Sequence, residues 1–272
     1  MKARFHLDIS VIILIAVILG GAGGFFGVKY YIDRETRKQE IASIQLQQHK
    51  VSKIPTISST STPKAKIPLT TTTSTLAVAD VTGAINLDLI FFPQAPKKIW
   101  DADLEEYCEE ASLLAVDAWY KHKTYSVDEM EAALSAMKDW EIKTFGYFQS
   151  TSVEQTAQIA REYLGYKKIR VIDRPTIAQI RAEIVAHHPV IVPANGKLLK
   201  NPYFKNGGPM FHMVVVRGFT ESGDVIVNDP GTQFGENFVY SPDVILSAMA
   251  DWDHGQDETQ VATGIPRVLV VE

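Results

Sequence analysis

Polar and apolar positions divide the chain into three stretches of different character. The first, Ile9 to Val28, is an uninterrupted run of 20 residues without a charge, flanked by Lys2 and Arg4 before it and by Lys29, Arg34, Arg37 and Lys38 after it. At ~1.5 Å rise per residue, a helix of this length reaches roughly across a bilayer core. The pattern predicts a single transmembrane helix over 9–28, behind a short flank at 1–8; a cleaved signal peptide is the other reading of such a run. The second stretch, 29–80, is polar. Between Thr56 and Thr75, 12 of 20 residues are Ser or Thr, and Pro63 and Pro68 interrupt them. Such a segment cannot bury enough apolar surface to fold, which predicts a juxtamembrane piece and a disordered linker.

The third stretch, 81–272, patterns as a globular domain and is long enough to bury one core. Helical spacing appears first, over Cys108–Tyr120, Ser126–Trp140, Val153–Leu164 and Thr176–His187. Ser126 and Glu129 form an S-x-x-E capping signature. Short Val- and Ile-rich strands follow at Lys168–Ile172, Pro189–Pro193, Met213–Phe219, Val225–Asn228 and Arg267–Val271, with one more helix over Ser241–Trp252. Helices followed by a mostly antiparallel sheet predict an α+β domain.

Charge and cysteine content narrow the chemistry. A net charge of −5 without a long basic block argues against a nucleic-acid partner. A single cysteine excludes an intrachain disulfide and a multi-cysteine zinc site. No H-E-x-x-H or phosphate-binding glycine loop occurs, so neither a metal nor a cofactor is expected. Asp251, Asp253 and Asp257 near His254 lack the spacing of a calcium loop. His122, His187 and His188 sit at predicted helix ends, where a cation suits the dipole.

That leaves Cys108, which opens a predicted helix in the string CEEAS. Backbone N–H groups there favour a thiolate, while Glu109 and Glu110 oppose one. A buried Cys is more often a small hydrophobe. His212 enters an apolar strand in HMVVVRGF, and Asp229 follows the next strand in VIVNDPGT. A hairpin through Glu221, Ser222 and Gly223 brings His212 and Asp229 to one open end, the arrangement of a base and its orienting carboxylate. Strand alternation allows only one of Asn228 and Asp229 to reach His212, and Asn228 stays as the second choice. Gln94, in PQAP, carries an amide able to donate to an oxyanion. The loop 195–210, just ahead of His212, is expected to wall one side of a cleft.

The ordered set Gln94, Cys108, His212 and Asp229 resembles papain-like cysteine peptidases. More closely, the strings PQAP, CEEAS, PVIV, HMVVVRGF and NDPGT are similar to the bacteriocin-processing peptidases that remove double-glycine leaders, and to their stand-alone bacterial relatives. The resemblance runs from about Leu87 to the C-terminus. It implies a papain-like fold. It also implies Cys108 as nucleophile, His212 as base, Asp229 as its orienter, and Gln94 with the Cys108 N–H as oxyanion donors. Glu109–Glu110 stands where the exporter enzymes usually have Gly-Pro, so their substrate preference does not transfer. The expectation is a membrane-anchored cysteine peptidase or amide hydrolase acting on peptides or wall-associated amides. The alternatives are a transglutaminase-like acyl transferase using the same pair, and an inactive tethered binding domain. Basic residues after the apolar run would keep the domain in the cytoplasm, whereas the Ser/Thr stalk favours an extracytoplasmic location. The small-residue spacings Gly20 with Gly24 and Gly23 with Gly27 permit helix-mediated self-association.

Overall fold

The computed structural model describes residues 21–60, 83–252 and 264–272. It separates into two compact units, Met1–Leu46 and Gln47–Glu272. Helix α1 (Gly21–Val51) supplies the described part of the first unit and the opening residues of the second. Most of the apolar run at 9–28 therefore lies outside the described residues, and 21–28 form the first turns of α1. Among the described residues no helix is long and apolar enough to cross a membrane.

The second unit begins earlier than the sequence pattern predicts. Val51 is buried, and strand β1 (Thr56–Ile57) pairs in parallel with β2 (Ile85–Leu87). The head of the expected linker is thus part of the sheet, while 61–82 lie outside the described residues. The sheet runs in the order β1, β2, β5 (His212–Phe219), β4 (Val190–Ala194), β8 (Arg267–Val271), β3 (Ile169–Asp173), and β6 (Val225–Asn228) and β7 (Phe238–Tyr240) extend it from the other edge of β5. Every pairing except β1 with β2 is antiparallel. With α2 (Cys108–Lys121), α3 (Val127–Phe145), α4 (Val153–Glu162), α5 (Ile177–Val185), α6 (Gly196–Leu199) and α7 (Pro242–Ala248), this is the expected α+β domain.

The helices start where side chains can satisfy their first N–H groups. Capping boxes form at Ser126 with Glu129, Ser152 with Gln155, and Thr176 with Gln179. Helix α3 runs to Phe145, five residues past its predicted end, and stops at Gly146 in the left-handed region. The final helix is shorter than the pattern over Ser241–Trp252 implies. It ends at Ala248, and Met249 then bridges to Ala194.

Strand β5 is buried along its whole length, as are β4 and β6, so these strands form the middle of the core. Helix α2 packs on β5 and buries all of Cys108–Trp119. That burial includes Glu109, Glu110 and Asp117, a costly choice for three acids unless each finds a partner or a proton. Asp117 has Lys121 and Lys123 within ion-pair distance.

Candidate active site

Residue placement begins with the β5–β6 hairpin. Val215 pairs with Asn228, and extending that register carries the chain past Asp229 until Gly231 lies against the His212 ring. A Cβ on Gly231 would lie 2.8 Å from His212 Cε1, and one on Gly235 would lie 1.8 Å from the Asp229 carbonyl oxygen. Both positions need glycine for this close approach. The loop that follows β6 therefore folds tightly onto the histidine.

His212 and Asp229 are joined through Nε2 and Oδ1 at 2.8 Å, and both are buried. Asp229 Oδ1 also accepts from the Gly231 N–H. Its Oδ2 accepts from the Tyr240 hydroxyl at 2.7 Å and from Asn201 Nδ2 at 2.9 Å. Burial acts to raise this carboxyl, but the neighbouring His212 and the donors from Tyr240 and Asn201 outweigh it and hold it below its ordinary value. A carboxylate so saturated stays charged and fixes the ring nitrogen it faces. Phe204 closes on the imidazole edge-to-face, with ring centres 5.2 Å apart. The 195–210 loop, which carries Asn201 and Phe204, thus lies beside the His212–Asp229 pair.

Asn228 is bonded elsewhere. Its Oδ1 accepts from Arg217 Nη1 and its Nδ2 donates to the Ile90 carbonyl. Strand alternation turns it away from the face that Asp229 occupies.

Cys108 is the first residue of α2, and its sulfur faces the backbone amide of Met213, the residue after His212. The thiol donates to Glu109 Oε2 at 2.9 Å. Burial pushes this thiol well above its ordinary value; the charges of Glu109 and Glu110 push the same way, and the Met213 amide pulls back. Glu109 and Glu110 are themselves raised, first by burial and then by each next acid in the row: Glu110 acting on Glu109, and Glu141 from α3 acting on Glu110. Burial also carries Glu141 up, to about 8. Among the described residues no cation or hydroxyl donor reaches the Glu110 or Glu141 carboxyl. Burial without a cation favours the protonated form of both acids.

Gln94 is brought to the same region. Its backbone N–H donates to the Pro230 carbonyl, and Gln233 Nε2 donates to the Ala95 carbonyl, so PQAP and NDPGT are zipped together. Its side-chain amide donates to the Leu104 and Glu105 carbonyls at 3.2 and 2.9 Å. Both N–H groups are thereby engaged with the 3₁₀ turn Leu104–Glu106 that leads into Cys108. An oxyanion role for Gln94 would require one of them to be released.

The residues that sequence reasoning missed are Asn201, Phe204, Tyr240, Gly231, Gly235 and Glu141. The glycines left a trace in NDPGT and QFG, and Asn201 and Phe204 lie on the 195–210 loop already singled out, though not as individual residues. The others converge from distant elements. Among the described residues no group of His, Cys, Asp and Glu could hold a metal ion. His188 is held by Glu183 at 3.0 Å, and His122 caps α2 in the left-handed region with Nδ1 2.7 Å from Ser59 Oγ.

Among solved structures, the chain is similar to a C39-like peptidase from Bacillus anthracis, at 17% identity and a TM-score of 0.40. That match covers 68% of this chain and 94% of the other. It is also similar to a fragment of prointerpain A from Prevotella intermedia, at 18% identity and a TM-score of 0.33, over 54% of this chain and 43% of that one. No curated protein matches it significantly in sequence. A family model matches residues 86–252, more than half of the chain and the whole of the region just described, and by that match the chain belongs to the Peptidase_C39 like family.

Proposed function

We propose that the protein is a cysteine peptidase or amide hydrolase whose reacting groups are Cys108, His212 and Asp229. The observation that carries this reading is the buried His212–Asp229 pair, bonded through Nε2 at 2.8 Å, with the Cys108 sulfur against the adjoining Met213 amide. Because Asp229 takes Nε2, the imidazole has Nδ1 for the thiol. In the proposed reaction Nδ1 accepts the Cys108 proton as the sulfur attacks a carbonyl. The imidazolium then protonates the leaving amine, and water releases the acyl group. The N–H of Cys108, at the start of α2, is a donor for the oxyanion. Gln94 joins it if one of its carbonyl bonds opens on substrate binding.

Acyl transfer requires a carbonyl substrate, and the class we infer is a peptide or a wall-associated amide. Release of the acyl group to an amine uses the same two residues, and product analysis with added amine separates the outcomes. We further propose that the apolar run 9–28 anchors the chain in a membrane as a single span, with the domain held outside by the Ser/Thr stalk. Full-length chain recovered in the membrane fraction and digested by protease added to intact cells is the expected result; recovery in the soluble fraction argues against it.

The catalytic reading is tested by intact-mass analysis after treatment with an epoxysuccinyl peptide. One adduct on the wild type and none on Cys108→Ser is expected. An unlabelled wild type of native fold favours the tethered binding domain, a reading the raised Cys108 thiol also accommodates.

A further inference from the structure

The reading above leaves unexplained why the residue after the nucleophile is a buried acid. Glu109 is fully buried, and one of its oxygens lies 2.9 Å from the Cys108 sulfur while the other meets no hydrogen-bond partner. An ionised carboxylate there would repel the thiolate that the reaction needs. The titratable groups around it are Cys108 and Glu110 on α2, Glu106 on the preceding 3₁₀ turn and Glu141 on α3; His212 on β5 precedes Met213, whose amide faces the Cys108 sulfur. Glu109 Oε2 meets the Cys108 thiol and Oε1 meets no donor, so a proton is the cheapest way for this buried carboxyl to remain in place. A neutral carboxylic acid held beside developing negative charge is a hydrogen-bond donor.

The geometry points to Glu109 as a catalytic acid kept neutral, whose O–H donates to the Cys108 thiolate. The proton balance is simple. In the resting state the thiol donates to Glu109 Oε2. When the S–H bond breaks, its proton forms an N–H bond at His212 Nδ1, and Glu109 keeps its own proton and turns it towards the sulfur. Donor and acceptor exchange across one contact, and the three groups together neither gain nor lose a proton. Ionisation of Glu109 removes the donor and adds a repelling charge, so reactivity falls on the alkaline side. The inference rests on the proposed role of Cys108 and His212, and the experiment keeps the two separable.

The probe is iodoacetamide on the purified full-length chain, whose only cysteine is Cys108. Four proteins are compared at neutral pH: wild type, Glu109→Gln, Glu109→Met and His212→Ala. Met has the length of Glu but no donor, while Gln has a donor and no charge. Glu109→Met is expected to slow alkylation about tenfold, the scale of one hydrogen bond to a charged group, and Glu109→Gln to recover at least about a third of the wild-type rate. Thiolate ultraviolet absorbance, taken as the difference from the Cys108→Ser chain, should appear at lower pH in Glu109→Gln than in Glu109→Met. This readout does not depend on reagent access and requires only that the chains fold, which circular dichroism checks. Equal slowing of the Gln and Met chains overturns the inference, since a carboxylate base would then be required. Faster reaction of both also overturns it, since Glu109 would be purely inhibitory. Wild-type speed in His212→Ala would remove the underlying reading; a slow His212→Ala with either adverse Glu109 result removes the inference alone.

Discussion

At the scale of single residues, the best-determined group is Asp229. Four hydrogen bonds converge on its two oxygens, from His212, the Gly231 amide, Tyr240 and Asn201. Its carboxyl sits below the ordinary value despite burial, because His212 and these donors favour the charged form. The sign of the pH effect follows. The depressed carboxyl stabilises the fold at pH above the ordinary carboxylate range, and that stability is lost as pH falls through the lowered value. Tyr240→Phe removes one donor. It is expected to cost about 1–3 kcal/mol at neutral pH and to move acid unfolding to higher pH, measured by urea denaturation across a pH series. An unchanged acid limb would mean that Tyr240 contributes nothing to the charge on Asp229. Sequence reasoning reached His212 and Asp229 because a hairpin brings two nearby strands to one end, and strand alternation separated Asp229 from Asn228. Tyr240 and Asn201 were invisible to it, since nothing in FVY or KNPYF says that the two side chains meet.

At the scale of elements, β5 does most of the positioning. Its pairing with β6 shifts register between Val216 and Gly218, and Arg217 sits at that irregularity. The buried guanidinium donates to Asn86 Oδ1, to the Leu87 and Leu89 carbonyls, and to Asn228 Oδ1. One side chain therefore ties the hairpin to the segment that leads from β2 to Gln94. Lysine cannot reproduce that planar fork. Arg217→Lys is expected to lower unfolding stability by about 2–4 kcal/mol, read from the denaturant midpoint at constant slope. A loss below about 0.5 kcal/mol would show that these bonds are replaceable by water. Elements with clear periodicity were legible before folding: β6 and β8 have the predicted bounds, and α2 begins at Cys108 as expected. β1, β2 and β7 were not, because two or three residues are too few to display a period and are recruited by their partners.

At the scale of the whole molecule, the acids of α2 and α3 set a cost that rises with pH. Glu141 is raised by burial to about 8, and Glu109 and Glu110 are raised in the same direction. The unfolded chain releases these protons in the ordinary carboxylate range, whereas the folded chain holds them longer. Unfolding therefore releases protons across the interval between, and stability declines as pH rises from about 4.5 towards 8. Glu141→Gln should flatten that decline and be more stabilising at pH 8 than at pH 5, measured by thermal melting at both. A melting-temperature difference equal at the two pH values would contradict a proton held at this site. The influence of Glu141 on Glu110 runs between two helices and could not be read from CEEAS alone. The sequence signalled two acids at a helix start, which the dipole explains, but not that a third from another helix would face them without a cation.

These scales meet in the claim that His212 is the base for Cys108. Its most direct test is the rate at which a small electrophile modifies the single cysteine at neutral pH, in the wild type and in His212→Ala. The account predicts that loss of the imidazole slows modification by about a hundredfold or more, the scale of a general base. A His212→Ala chain that folds normally and reacts at the wild-type rate would contradict it.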